Sequence, residues 1–307
     1  MDSDDKKITQ LPVVTSLSDS DLLVTVVNIG TAPQTKAIAK SNAITGGGDA
    51  KAGINGLQAK NNATTPNTKY DFVADMVALR NPSTGVVVVR TNTGTITCDI
   101  TLPSSGSTST ANGCDQTKIS ALTSQWVHFY FIWNGTTLAT LASLTAPPTG
   151  PTLPSGYTHW AYIGAIRLNG SSQLVPTYMR GGKVYYRARQ TAISPGSATS
   201  ETSLDISALI PPNALDWHGS IDVIKGTTNG SGAITLTTFV RIYTGENYIV
   251  AVMELTGLGA TSSTQVTGPS WNAPNIGQAF YYFHSISPGT NPSASIFVLG
   301  YTVPNNS

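Results

Sequence analysis

The chain has 307 residues, 40% of them hydrophobic and only 11% charged, with a formal net charge of +1; soluble globular domains commonly carry about twice that charged share. A near-neutral balance with scattered Lys and Arg argues against nucleic acid or an anionic lipid surface as the main partner. No apolar run approaches the roughly 18 residues of a membrane span, and the charged opening lacks the apolar stretch and cleavage site of a secretory signal.

The chain's polarity comes from short hydroxyls. There are 42 Thr and 31 Ser, with 29 Gly and 18 Pro beside them, the profile of strands joined by tight turns. Residues 1–60 stand apart, with six Asp, six Lys and no aromatic residue, so they can build at most a small core and should depend on partners or on copies of themselves. Within them a β-branched run at 22–29, stopped by Gly30, and a second run at 35–40 are expected to pair. Gly46-Gly47-Gly48 follows as a joint, and a boundary belongs between about 44 and 66.

Beyond it, Asn-Gly dipeptides at 112–113, 134–135, 169–170 and 229–230 mark turns in which positive φ is tolerated. Between such signals, strands are expected at 85–90, 93–102, 126–133, 137–143, 157–168, 183–190, 202–206, 217–225, 233–243, 248–255, 279–287 and 295–303, and 70–79 reads as one more. In the last, Ile296, Val298 and Gly300 should face one way and Phe297, Leu299 and Tyr301 the other. The fold class is all-β: antiparallel β-sandwich or jelly-roll-like domains preceded by a small N-terminal anchor segment. A loose stretch at 194–202 divides the body, so three parts are expected: 1–60, 66–192 and 193–307.

Lys7-Ile8-Thr9-Gln10-Leu11-Pro12, the run from Leu17 to Val26, then Thr35-Lys36 and Asn42-Ala43-Ile44 resemble an N-terminal segment that mounts fibres or spikes on tailed-bacteriophage particles. Gln125 to Ile132, with Pro151-Thr152-Leu153-Pro154-Ser155-Gly156-Tyr157-Thr158 and Ile163-Gly164-Ala165-Ile166-Arg167, is similar to a β-domain recurring in phage fibre proteins. The first resemblance implies virion anchoring through Ile8, Leu11, Pro12, Leu22, Val24 and Val26. It also implies a homotrimer, other virion proteins as partners, and location on the particle after synthesis in the host cytoplasm.

Groups for catalysis are scarce. After Asp115 only six acids remain, and Asp216 and Asp222, six residues apart, would be about 20 Å apart on one extended strand, too far for a glycosidase pair at about 5–9.5 Å. His128, His159, His218 and His284 occur singly beside aromatic residues and read as structural. Cys98 and Cys114 are too few for a disulfide framework or a structural zinc site and read as core or loop thiols, with a bridge between them as the alternative. Phosphate-cradling and hydrolase motifs are missing. No catalytic, cofactor-binding or metal-binding residue is expected, and no enzyme activity. Aromatic residues are the remaining resource. Most belong to strands, but Trp271, read in a 268–274 loop with Asn272 beside it, is the surface-recognition candidate, placed to stack on a sugar ring or on another subunit. The expected function is a trimeric head or tail fibre or spike that binds the host surface, with a capsid-decorating protein as alternative and a polysaccharide depolymerase behind it.

Overall fold

The computed structural model describes residues 22–27, 34–39, 53–91, 93–103, 108–116, 119–225, 233–243, 247–258, 264–287 and 293–304. The chain divides into two compact units, Met1–Ala50 and Lys51–Ser307. In the first, β1 (Leu22–Val27) pairs antiparallel with β2 (Gln34–Ala39), setting Val24 opposite Ala37 and Val26 opposite Thr35. Residues 53–60, expected in the anchor, belong instead to the second unit.

That unit opens with β3 (Gly53–Asn55), β4 (Gln58–Asn61), β5 (Lys69–Val73), β6 (Met76–Arg80), β7 (Val87–Thr91), β8 (Ile96–Asp99) and β9 (Gly113–Cys114). After a single 3-10 turn come β10 (Trp126–Trp133), β11 (Leu138–Ser143), β12 (His159–Arg167), β13 (Thr177–Arg180), β14 (Lys183–Gly196) and β15 (Thr202–Asp205). The last six are β16 (Asp216–Lys225), β17 (Ala233–Tyr243), β18 (Asn247–Leu258), β19 (Thr264–Pro274), β20 (Ala279–Ser287) and β21 (Ser293–Thr302). A seven-stranded sheet runs β3-β6-β12-β10-β11-β9 with β7 added on β6; an eight-stranded sheet runs β19-β16-β21-β14-β13-β4-β5-β8; a four-stranded sheet runs β15-β20-β17-β18. Pairing is antiparallel, save that β9 runs parallel to β11.

The two large sheets share one aromatic core. Tyr70 and Phe72 of β5 meet Phe129 of β10 at ring separations of 5.7 and 5.2 Å, and Phe72 also meets Phe131. Tyr301 of β21 donates a 2.7 Å hydrogen bond to the carbonyl of Ala165 in β12. β10 is buried along seven of its eight residues, so both its faces are covered. Alternation turns Tyr130, between Phe129 and Phe131, away from the facing sheet, and a one-residue slip in register with β12 at Phe129/Tyr130 sets Tyr162 opposite it. There Tyr130 meets Tyr162 and Trp160. The proline-rich segment after β11 closes over them: Tyr130 donates to the Thr145 carbonyl at 2.6 Å. Gly150, at φ +75°, lies so near Trp160 that a Cβ would stand 2.6 Å from the ring, and buried Asp115 accepts the Thr152 amide at 3.1 Å.

Across the eight-stranded sheet a registered row faces this core: Ala273, Trp217, Tyr301, Val184, Met179, Ala59, Phe72 and Ile96, each opposite the next. All but Ile96 are buried. Strict alternation breaks in β21. Gly300 and Val298 lie opposite His218 and Gly219, leaving Leu299 as an extra residue, so Val298 and Tyr301 both turn inward. A bulge leaves no mark in side-chain alternation, which is why the regular pattern expected for 296–301 fails.

Two further expectations are corrected. The stretch 70–79 is two strands in different sheets, β5 and β6, because Ala74 and Asp75 carry the chain from one sheet to the other, with the Ala74 amide donating to Thr93 Oγ1 at 2.9 Å. The division at 192/193 falls inside β14, whose residues on both sides of that point pair with β21. Ladder bonds thus carry β14 through the Ser- and Pro-containing stretch that reads as a joint, and Lys51–Ser307 is one compact unit.

Two outcomes follow. A Cβ at Gly300 would stand 2.1 Å from the Val184 carbonyl oxygen, so Gly300→Val should lower unfolding stability by about 3 kcal/mol; a urea midpoint equal to wild type would contradict this packing. His128 is buried beside Tyr162, 3.0 Å from its hydroxyl, and burial holds its pKa down from 6.5 to about 4. The unfolded chain therefore binds a proton first. The stability associated with His128 is complete above about pH 6.5 and is lost as pH falls toward 4, by about 1.4 kcal/mol per pH unit. An NMR titration midpoint near 6.5 for this ring would refute it.

Candidate functional site

Ile8, Leu11 and Pro12 lie outside the described residues, and Leu22, Val24 and Val26 are in β1. Trp271 is not a loop residue: it lies within β19, opposite Gly219, only 9% exposed and edge-on to Trp217 at 6.0 Å. Gly219 leaves the room these two indoles fill, since a Cβ there would stand 2.5 Å from Trp271. Glycines and prolines around 268–274 look like a loop, but β16 supplies a partner strand that only the fold reveals. Its neighbour Asn272 faces the other way, exposed, with its Oδ1 2.5 Å from His218 Nδ1.

That contact ends a second registered row, on the face of the eight-stranded sheet turned away from the core. Asn272, His218, Gly300, Tyr185, Tyr178, Lys60, Asp71 and Thr97 lie opposite one another in succession. Tyr178 stacks on Tyr185 at 4.9 Å with planes 15° apart, and Tyr185 stacks on His218 at 5.8 Å with planes 14° apart. The second separation spans an intervening strand, and it is possible because Gly300 puts no side chain between the rings. Upright rings in file therefore rise from this face. Tyr178 ends the file, 45% exposed, with one face against Tyr185 and the other toward Lys60.

Next to that free face lies a cavity of about 470 Å³ lined by Gln58, Lys60, Asp71, Thr95, Tyr178 and Arg180, above Ala59, Phe72 and Met179. Asp71 is already engaged: Asn62 Nδ2 donates to both its carboxylate oxygens at 3.0 Å and Thr97 Oγ1 donates at 2.7 Å. Lys69 pairs with Asp99 at 3.2 Å and Arg189 with Asp222 at 2.7 Å. Lys60, Arg180 and Lys183 form no ion pair among the described residues. Arg180 and Lys183 stand directly opposite each other across the Gly181-Gly182 turn, an arrangement of like charges that costs stability. Arg180 and Lys183 also line a second cavity of about 550 Å³ with Leu215 and Thr302. Beside it the hydroxyl of Thr302, Oδ1 of Asp216 and Nε2 of His218 are buried without a hydrogen-bond partner among the described residues, the last two lying 3.9 Å apart, and Asp216 is opposite Thr302.

Such a face can stack a ring, donate hydrogen bonds and hold negative charge. Among the described residues no three His, Cys, Asp or Glu side chains group as metal ligands do. His284 Nε2 donates to the Gly196 carbonyl at 3.0 Å, and burial lowers its pKa. Cys98 and Cys114 are free, buried thiols that donate to the carbonyls of Gly113 and Ile100. Burial pushes both up, Cys114 to about 12, so both stay protonated at neutral pH. No helix among the described residues is long and apolar enough to cross a membrane. No protein-family model and no curated protein matches the chain.

Tyr178, Tyr185, Lys60 and Arg180 were legible only in part. Gly181-Gly182 between Thr177-Tyr178-Met179-Arg180 and Lys183-Val184-Tyr185-Tyr186 is a two-residue hairpin signal, and that register alone sets Tyr178 opposite Tyr185. Lys60, His218 and Asn272 come from distant segments with no such link. Because Tyr178 stands in solvent, Tyr178→Ser should cost only about 1 kcal/mol, against about 3–5 kcal/mol for buried Trp217→Ala. Equal losses in urea unfolding would contradict the assignment of Tyr178 to an open face.

Proposed function

We propose that the chain is a structural protein of a tailed-phage particle: a homotrimeric head or tail fibre or spike, mounted through its N-terminal unit, residues 1–50, that binds host-surface glycan without chemical turnover. The observation that carries this reading is the file of Tyr178, Tyr185 and His218 on an open sheet face beside a 470 Å³ cavity. A cavity of that size with an aromatic wall and a few polar groups suits one or two sugar rings. The resemblance of 7–44 and 125–167 to phage virion proteins supplies the setting. In this reading the two large sheets form a β-sandwich of jelly-roll type, for which the rings of β5 packed on those of β10 are the support. Three copies on one mount, and several mounts on one particle, would turn weak sites into high avidity.

Deletion of residues 1–45 should leave a folded body that no longer joins particles, read by immunoblot of purified phage. Incorporation of the truncated chain would overturn the anchor assignment, and one copy per capsid lattice position in gel densitometry of intact particles would assign a decorating role instead of a fibre.

A further inference from the structure

We propose that the cavity beside Tyr178 is selective for a carboxylate-bearing saccharide, with the sugar ring against the free face of Tyr178 and the carboxylate held by Lys60 and Arg180. This rests on the glycan-binding reading and goes beyond it by naming the charge of the ligand.

Three observations converge. The chain is poor in charge, with 17 Lys and Arg in 307 residues, yet Lys60, Arg180 and Lys183 rise from adjacent strands of one sheet face, with Arg180 directly opposite Lys183. None of the three has an ion-pair partner among the described residues; the one carboxylate lining the cavity, Asp71, lies opposite Lys60 in register and keeps its charge, but its oxygens are turned to Asn62 and Thr97, leaving two cations against one anion. Repulsion between Arg180 and Lys183 would be relieved by an anion there. Tyr178, finally, is held upright from behind by Tyr185, so its free face and the two cations bound the same 470 Å³ cavity. A neutral sugar would use the ring and leave the cations unanswered; an inorganic anion would use the cations and leave the ring. A carboxylated sugar uses both, through charge-assisted hydrogen bonds to Arg and Lys and an apolar contact to the phenol.

The test is calorimetric titration of the full chain with uronate and sialate oligosaccharides, each paired with its carboxyl-reduced form, in which CH2OH replaces the carboxylate. At least one acidic oligosaccharide should bind, its reduced partner at least tenfold more weakly. Lys60→Gln and Arg180→Gln should each weaken the acidic ligand at least fivefold with little effect on the reduced one, Tyr178→Ser should weaken both, and Arg80→Gln, on the other large sheet, should change neither. Raising salt from 50 to 500 mM should weaken only the acidic ligand. Equal binding of acidic and reduced forms would overturn the carboxylate selectivity while leaving glycan binding intact. Binding of neither form would overturn both. Displacement by inorganic phosphate at equal concentration, unaffected by Tyr178→Ser, would reduce the site to a simple anion patch and overturn the proposal.

Discussion

Tyr70 and Phe72 of β5 pack against Phe129 and Phe131 of β10 in the space between the two large sheets, and that contact decides which face of every strand in the eight-stranded sheet is dry. Side chains along a strand alternate in direction, and pairing in register extends one strand's choice to its neighbours. Once Phe72 is committed inward, Ala59, Met179, Val184 and Tyr301 follow it, and Asp71, Lys60, Tyr178 and Tyr185 are turned out. The open face is a consequence of the core, residue by residue.

The two large sheets solve the same problem differently. β10 and β12 are apolar on both sides, and the segment after β11 covers the second side with Gly150 pressed on Trp160 and Asp115 accepting from Thr152. In the eight-stranded sheet, β4 and β13 alternate buried and exposed residues and β5 buried and half-buried ones, so their outer side needs no cover. Where that side carries aromatics, Gly300 allows the rings to close ranks across a strand, and this shields His218 while leaving Tyr178 in water. A surface built on paired strands is held more rigidly than one on a loop, so a ligand taken up there would cost less ordering entropy.

Sparse charge gives the unpaired cations their meaning. Where Lys and Arg are plentiful, two facing each other would be unremarkable; here Asp71 is hydrogen-bonded to Asn62 and Thr97, and the like-charged pair persists on a face that also offers an aromatic wall. Local destabilisation of this kind concentrates where a ligand is bound. The buried thiols and His128 belong to the opposite category, polar groups that burial keeps uncharged at neutral pH.

The all-β class, the antiparallel hairpins and most strand centres were determined by sequence, because β-branched and aromatic runs between Asn-Gly and Gly-Gly turns admit little else. The break between an aromatic-free N-terminal stretch and an aromatic-rich body is likewise a property of composition. Tertiary structure alone decided that 70–79 splits between two sheets, that β14 continues through residues 190–196, and that Trp271 is buried in a strand, since each depends on a partner strand more than 20 residues away. It alone decided the site as well. A bulge at Leu299 and a glycine at 300 are silent in local pattern, yet together they bring residues from 60, 178, 185, 218 and 272 into one row, because hydrogen-bonded register, rather than proximity in the chain, sets which side chains meet.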